Sequence, residues 1–245
     1  MRIPETYVWL LWASAFLLPW LALYAAFPRH RRTMLWASLF TTPFGLTEPL
    51  FVPEYWSPPS LGNLALRTGF DVESLIFCFG IGGVAAVLIN VLLRRVSVPI
   101  DPEERRHRRH RLHRWVLVVP FGTFVALLPL DWNPIYPGIV AMFAGAVASV
   151  WCRPDLLRST AIGSVVFTLY YTVFLAALEW SAPPGYIATV WNLDALTGVV
   201  LGFMPLEELL FAAGFGAYWV GVYEHFTWHH SPFVGREDRE HALAS

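Results

Sequence analysis

Long runs of apolar residues, separated by short polar segments, recur along the 245-residue chain. A helix needs about 20 mostly apolar residues to cross the hydrocarbon core of a bilayer. Seven runs approach this length, at residues 7–27, 33–51, 70–93, 115–131, 135–152, 159–179 and 196–226. The pattern therefore predicts an all-α membrane protein with seven transmembrane helices, folded as a single integral membrane domain over residues 1–245.

The composition supports the same fold class. Only 14% of the residues are charged, whereas about 25% is usual for a soluble domain. All 17 basic residues are arginine, so chemistry that needs a lysine Schiff base, such as retinal attachment, is excluded. The two cysteines, Cys78 and Cys152, lie in apolar segments without metal-ligand or disulfide spacing. We interpret them as packing residues.

The arginines are distributed unevenly between the connections. Fifteen lie on one side of the predicted membrane helices, and Arg2 and Arg67 lie on the other. Connections rich in arginine stay on the cytoplasmic side. We therefore expect the amino terminus outside, the carboxyl terminus in the cytoplasm, and the plasma (inner) membrane as the location.

An internal repeat organises the chain. Residues 73–82 match residues 207–216 at five of ten positions without a gap. The match predicts two parallel three-helix repeats, at residues 7–93 and 135–226. The helix at 115–131 joins them, and residues 227–245 form a cytoplasmic tail. Parallel repeats place a shared site at their interface; the alternative is that apolar helices resemble one another by composition alone.

Carboxylates inside the predicted helices are the candidate chemistry, because an acid in a bilayer helix is costly and usually faces a bundle interior or cavity. Glu207 falls about eleven residues into the seventh predicted helix, close to the membrane centre. Pro205 is expected to kink that helix. Glu73 matches Glu207 in the repeat, so we expect the two to face each other. The alternative is that these acids only hydrogen-bond neighbouring helices.

The run Pro205-Leu206-Glu207-Glu208 resembles the Pro-x-Glu-Glu signature of the membrane-integral lycopene cyclases. The repeat layout is also similar, so the resemblance covers roughly residues 7–226. It implies proton-driven ring closure of linear carotenoid ends without net redox change, with Glu207 and Glu208 as the motif glutamates. The first copy departs from the signature, because Asp71 replaces the proline and Ser74 replaces the second glutamate.

Ring closure of this kind needs a carboxylic acid that is shielded from water, a base, and aromatic faces that stabilise a cation. We expect Glu207 to be the principal acid and Glu208 its orienting or proton-relaying neighbour. Glu73 and Asp71 would hold the opposing charge or accept the leaving proton. The residues expected to contact the apolar isoprenoid or carotenoid substrate are four aromatics and two glutamates, Phe77, Phe211, Trp56, Trp191, Glu48 and Glu179.

The remaining motifs indicate neither a cofactor nor a metal. Residues 80–85 fit a dinucleotide-binding glycine pattern, but they lie inside an apolar run and are interpreted as a packing face. His107, His110 and His113 recur every three residues, and the arginines between them would repel a cation. This basic block is expected to contact anionic lipid headgroups, and no nucleic-acid partner is expected.

Two other functions stay open. Two parallel repeats around a central site also suit a membrane carrier or a binding protein for a small or apolar solute. The chain could instead be an assembly partner of other carotenoid enzymes. The repeat places phenylalanine and glycine beside the acids and few hydroxyl or amide groups, which argues against a carrier for a polar solute.

Overall fold

A computed structural model describes residues 4–232 and is 75% helical. Its α-helices, in chain order, are α1 Glu5–Ala15, α2 Leu17–Ala26, α3 Arg31–Thr41, α4 Leu64–Thr68, α5 Val72–Leu92, α6 Pro102–Arg105, α7 His113–Val116, α8 Val119–Leu127, α9 Ile135–Cys152, α10 Leu157–Ser181, α11 Tyr186–Val190 and α12 Leu206–Thr227. The prediction of a nearly all-α protein is confirmed.

Short irregular elements connect these helices. The 3₁₀ helices are Pro28–His30, Thr42–Leu50, Leu61–Asn63, Arg108–Leu112, Pro154–Leu156 and Leu193–Ala195. The strands are β1 Val98–Pro99, β2 Val200–Leu201, β3 Met204–Pro205 and β4 His229–His230. Two antiparallel pairs form, β1 with β4 and β2 with β3. Within the predicted tail at 227–245, β4 is thus tied back to the connection after α5, and residues 233–245 lie outside the described residues.

Four helical segments among the described residues are long and apolar enough to cross a membrane: Glu5–Ala26, Val72–Leu92, Ile135–Cys152 and Pro154–Ser181. They coincide with four of the seven predicted runs. The first contains α1 and α2, which meet at Phe16. These segments carry the apolar surface that associates the protein with a membrane.

Prolines interrupt two of the other predicted runs. The run at 33–51 is α-helical only to Thr41 and continues as the 3₁₀ helix Thr42–Leu50, which contains Pro43 and Pro49. Proline removes a backbone donor and clashes with the preceding turn, which favours short or tightened helices. The run at 115–131 is likewise divided between α7 and α8, with Pro120 in the first turn of α8.

The predicted helix at 196–226 starts ten residues before the observed helix α12, which begins at Leu206. Residues 196–205 contain the β2–β3 hairpin, in which Gly202 has a φ of 72°, a backbone conformation that favours glycine. Pro205 is the residue before α12 and does not kink it. Glu207 therefore lies in the first turn of α12, and the prediction that it falls about eleven residues into this helix was wrong.

The centre of the molecule is built around α5 and α12, which contact each other. Both are buried on most of their faces. In the amino-terminal half, α3 packs on α5, and in the carboxyl-terminal half, α9 and α10 pack on α12. Helix α8 packs on α9 and lies between the two halves in sequence. Two central helices thus bring the two halves of the chain together.

Matched glycines of the repeat allow close helix crossings. Gly82 in α5 lies against Thr41 and Ala37 of α3, and Gly216 in α12 lies against α10. A Cβ atom on Gly216 would come within 2.6 Å of Phe167 Cβ and 2.7 Å of the Gly163 carbonyl oxygen. Glycine at these positions lets two helix backbones approach, as in other membrane helix pairs.

Replacing Gly216 with Ala is expected to destabilise the protein by about 1–3 kcal/mol, because the added methyl group overpacks the α10–α12 contact. The midpoint of thermal unfolding in detergent measures the change. Gly122→Ala in α8 is the matched control, because a Cβ atom there meets nothing within 4 Å. Equal midpoints for the two variants would contradict the close crossing.

Candidate functional site

A cavity of about 380 Å³ lies between the two halves of the chain. Its walls come from α1, α3, α5 and the 3₁₀ helix Thr42–Leu50 on one side, and from α8, α9, α10 and α12 on the other. Aromatic and aliphatic side chains form most of the lining. Among the described lining residues, Glu48 and Glu208 carry the carboxyl groups. The cavity therefore suits an apolar molecule that meets two acids.

Glu208 is held by three hydrogen-bond donors from different parts of the chain. Its Oε1 accepts from the Tyr55 hydroxyl and from Trp191 Nε1 at 2.7 Å. Its Oε2 accepts from the Tyr171 hydroxyl at 2.7 Å. Burial, and then the nearby Glu208 carboxylate, raise the pKa of Tyr55 well above its usual value. Tyr55 therefore remains a neutral donor to the carboxylate.

Glu48 belongs to a group of acids at the start of α5. Its Oε2 accepts from the Asp71 backbone N–H at 2.9 Å. Asp71 caps α5, since its Oδ1 accepts from the Ser74 backbone N–H at 2.6 Å. Glu48 Oε1 is buried and has no hydrogen-bond partner of ordinary geometry among the described residues. Asp71 thus positions Glu48 and does not itself line the cavity.

The matched glutamates Glu73 and Glu207 have equivalent contacts. Glu73 Oε1 accepts from the Leu61 backbone N–H at 2.8 Å, and Glu207 Oε1 accepts from the Thr197 backbone N–H at 2.9 Å. Glu207 also accepts from the Tyr136 hydroxyl at 2.8 Å. Each carboxylate thus fastens the connection that precedes its own helix. Neither residue is part of the cavity lining. These contacts therefore do not support the expectation that Glu73 and Glu207 face each other.

The predicted substrate-contacting aromatics all line the cavity: Phe77, Phe211, Trp56 and Trp191. Trp56 and Trp191 form an antiparallel backbone bridge, and their rings are 5.6 Å apart. The connections of the two halves therefore meet over the site. Glu179 lies elsewhere and accepts from the Ile187 backbone N–H at 3.2 Å.

Sequence reasoning missed part of the lining. Trp9, Trp12 and Phe16 enter from the first helical segment, where Phe16 stacks on Phe174 with ring centroids 4.0 Å apart. Their spacing of three and four residues marks one helix face, which is the signal that could have identified them. Tyr55 carries no such signal, because it lies in an irregular connection.

The family model described as lycopene cyclase matches residues 133–226, which cover α9 to α12. This match supports a lycopene cyclase family domain at residues 133–226. The matched residues include Glu208, Tyr171 and Trp191, whereas Glu48 and Tyr55 come from the part of the chain before them. Comparisons with curated proteins and with solved structures found no match.

Replacing Tyr171 in the lycopene cyclase family domain with Phe is expected to destabilise the protein by about 1–3 kcal/mol, because a buried carboxylate loses a donor. Thermal unfolding in detergent measures the loss. Tyr170→Phe is the matched control, since the Tyr170 hydroxyl has no hydrogen-bond partner among the described residues. An equal effect of both substitutions would mean that the Tyr171–Glu208 bond contributes no stability.

Proposed function

We propose that the protein is a carotenoid cyclase of the lycopene type, which closes a ring at a linear isoprenoid end by intramembrane proton transfer. The match of residues 133–226 to the lycopene cyclase family supports a carotenoid substrate and an enzymatic role. The observation that carries the proposal is the apolar cavity between the two halves, lined by Glu48 and Glu208.

The reaction balances without a redox partner. A carboxylic acid adds a proton to the terminal double bond of the polyene, which leaves a tertiary cation. An internal double bond attacks this cation and forms the ring bond, and a base then removes a proton from the new ring. Substrate and product are isomers, so an acid, a base and a dry site are sufficient.

Glu48 is the best-placed donor of the first proton. It lines the cavity, and its Oε1 is buried without a hydrogen-bond partner of ordinary geometry among the described residues. A proton on that oxygen can therefore be directed at a substrate. The Asp71 backbone N–H holds the other oxygen of Glu48, Oε2, at 2.9 Å and thereby orients the carboxyl group.

Glu208 suits the opposite role. Both of its oxygens have hydrogen-bond partners, and the Trp191 N–H can only donate, which favours the carboxylate form. It would stabilise the cation and accept the leaving proton. Phe77 and Phe211 present aromatic faces to the same cavity and can stabilise positive charge. Glu207, which the sequence favoured as the acid, and Glu73 are then positioning residues.

We also propose that the chain crosses the membrane seven times and that the crossings form two parallel repeats. The equivalent hydrogen bonds of Glu73 and Glu207, and the equivalent packing of Gly82 and Gly216, support the repeat. The uneven arginine distribution supports an external amino terminus and a cytoplasmic carboxyl terminus in the plasma membrane.

Pigment analysis of a lycopene-producing host tests the proposal. Cells that express the chain should accumulate cyclic carotenoids, whereas cells with an empty vector should retain linear lycopene. Linear lycopene that copurifies with the protein would instead favour a carrier or binding protein. Rings that form only after another carotenoid enzyme is added would favour an assembly partner.

A further inference from the structure

Three potential metal ligands converge at a place that is not part of the cavity lining. His110 lies in the 3₁₀ helix Arg108–Leu112, His113 begins α7, and Cys152 ends α9. The Cys152 Sγ atom is 3.5 Å from His110 Nδ1 and 3.5 Å from His113 Nδ1. All three ligand atoms lie within 4.8 Å of one another, and all three residues are buried.

The outer ring nitrogen of each histidine has an oxygen nearby. His113 Nε2 lies 2.7 Å from the His225 carbonyl oxygen, where only an N–H can bond. In the neutral ring this leaves the lone pair on Nδ1, which faces Cys152. His110 Nε2 lies 3.7 Å from a carboxylate oxygen of Glu104, which is an ion-pair distance but too long for a hydrogen bond. Carbonyl and carboxylate partners at the outer nitrogen are the usual arrangement around metal-binding histidines.

The spacing also fits a zinc-sized cation. Zinc–nitrogen bonds of about 2.0 Å and zinc–sulfur bonds of about 2.3 Å at tetrahedral angles place nitrogen and sulfur about 3.5 Å apart. Both observed nitrogen–sulfur distances are 3.5 Å. The His113 ring is held in place between its neighbours, because it stacks on His225 at 3.9 Å and on Trp228 at 3.5 Å between centroids.

Nearby arginines oppose a cation less than the sequence suggested, although Arg114 and Arg153 still add positive charge near His113. Arg108, Arg111 and Arg114 are exposed to the surroundings, whereas the histidines are buried. Arg153, which follows Cys152, is buried but bonds Asp155 through Nε at 2.8 Å and Nη2 at 2.6 Å. This pairing compensates its charge, and Glu104 adds a negative charge beside His110.

We propose that His110 Nδ1, His113 Nδ1 and Cys152 Sγ bind one zinc-class divalent cation, with a water in the fourth position. Binding displaces the thiol proton to the solvent and forms a zinc–thiolate bond. Cys152 belongs to the lycopene cyclase family domain at 133–226, whereas the two histidines precede it. The cation would therefore fasten the connection before α8 to the carboxyl-terminal half.

Cobalt(II) titration of the full chain in detergent, purified without a histidine tag, tests the site. One equivalent should give intense visible bands of tetrahedral cobalt and a thiolate charge-transfer band, and zinc should remove both. Cys152→Ser should eliminate the charge-transfer band and weaken zinc binding about 100-fold or more. Cys78→Ser and His107→Ala, which change the other cysteine and an exposed histidine of the same segment, should bind like the parent.

Measurements on the parent chain test the site even if a variant fails to fold. Zinc should raise the midpoint of thermal unfolding of the parent but not of Cys152→Ser. Glu104→Gln should retain the cobalt spectrum and weaken binding about 10- to 100-fold. A parent without a thiolate band, or a band that persists in Cys152→Ser, would overturn the proposal. Cyclase activity is not part of the readout, so this result is independent of the proposed reaction.

Discussion

Replacing Glu208 with Gln is expected to reduce ring formation about 10²- to 10⁴-fold, the range typical for loss of a positioned acid or base. Glutamine keeps the size of the side chain but can neither carry the negative charge nor accept a proton in this role. Its amide N–H₂ would also face at least one of the donors that now point at Glu208. The rate of cyclic product formation in membranes with equal protein levels measures the effect.

Glu207→Gln is the matched control for Glu208→Gln. The neighbouring carboxylate bonds Thr197 and Tyr136 and lies outside the cavity lining. We expect its loss to reduce the rate less than about tenfold, through weaker fastening of the connection before α12. A larger effect at Glu207 than at Glu208 would restore the assignment that the sequence favoured.

Replacing Glu48 with Gln is expected to reduce ring formation by a similar factor, about 10²- to 10⁴-fold. An amide cannot protonate a double bond, although it can still accept the hydrogen bond from the Asp71 N–H. Binding of linear carotenoid should therefore persist while turnover is lost. Initial rates and the amount of pigment that copurifies with the protein separate these two effects.

Glu179→Gln is the control for Glu48→Gln. The two glutamates occupy corresponding places before the third helix of each repeat, but Glu179 bonds the Ile187 backbone and does not line the cavity. Ring formation should remain within a few-fold of the parent in this variant. Equal losses in both variants would indicate a general structural role for these carboxylates and would contradict Glu48 as the proton donor.

The unbroken apolar runs were the most predictable part of the fold. The runs at 70–93 and 135–152 correspond closely to α5 and α9, since nothing within them interrupts a helix of membrane length. The run at 196–226 was too long because hydrophobicity does not distinguish the apolar β2–β3 hairpin from a helix. Gly202 and Pro205, which mark the turn and the helix start, were the informative residues.

The site was predictable at the level of residue types and repeat position. The aromatics chosen from the repeat, Phe77 and Phe211, do line the cavity, whereas the matched acids Glu73 and Glu207 one turn before them do not. The choice between Glu207 and Glu208 was not predictable. Adjacent residues point about 100° apart on a helix, so the rotation of α12 decides which one enters the cavity.

The hydrogen bonds of the cavity and the separate histidine–cysteine cluster both depend on contacts between distant segments. Tyr55 reaches Glu208 across 153 positions of the chain, and His113 meets Cys152 across 39. No local pattern encodes such contacts, because they follow from how the helices pack. The sequence therefore indicated a packing role for Cys152 and repulsion around the histidines, whereas the structure places Cys152, His110 and His113 in one buried cluster.

Ring closure of lycopene in heavy water tests the central proposal of proton-initiated isomerisation most directly. Membranes that contain the chain are supplied with linear lycopene in deuterium oxide, and the products are analysed by mass spectrometry. The proposal predicts a cyclic product of the same elemental composition as lycopene that carries one deuterium for each ring formed, since the acid that starts closure exchanges with the solvent. Cyclic product without deuterium, or with a mass change that reveals oxidation or reduction, would contradict it.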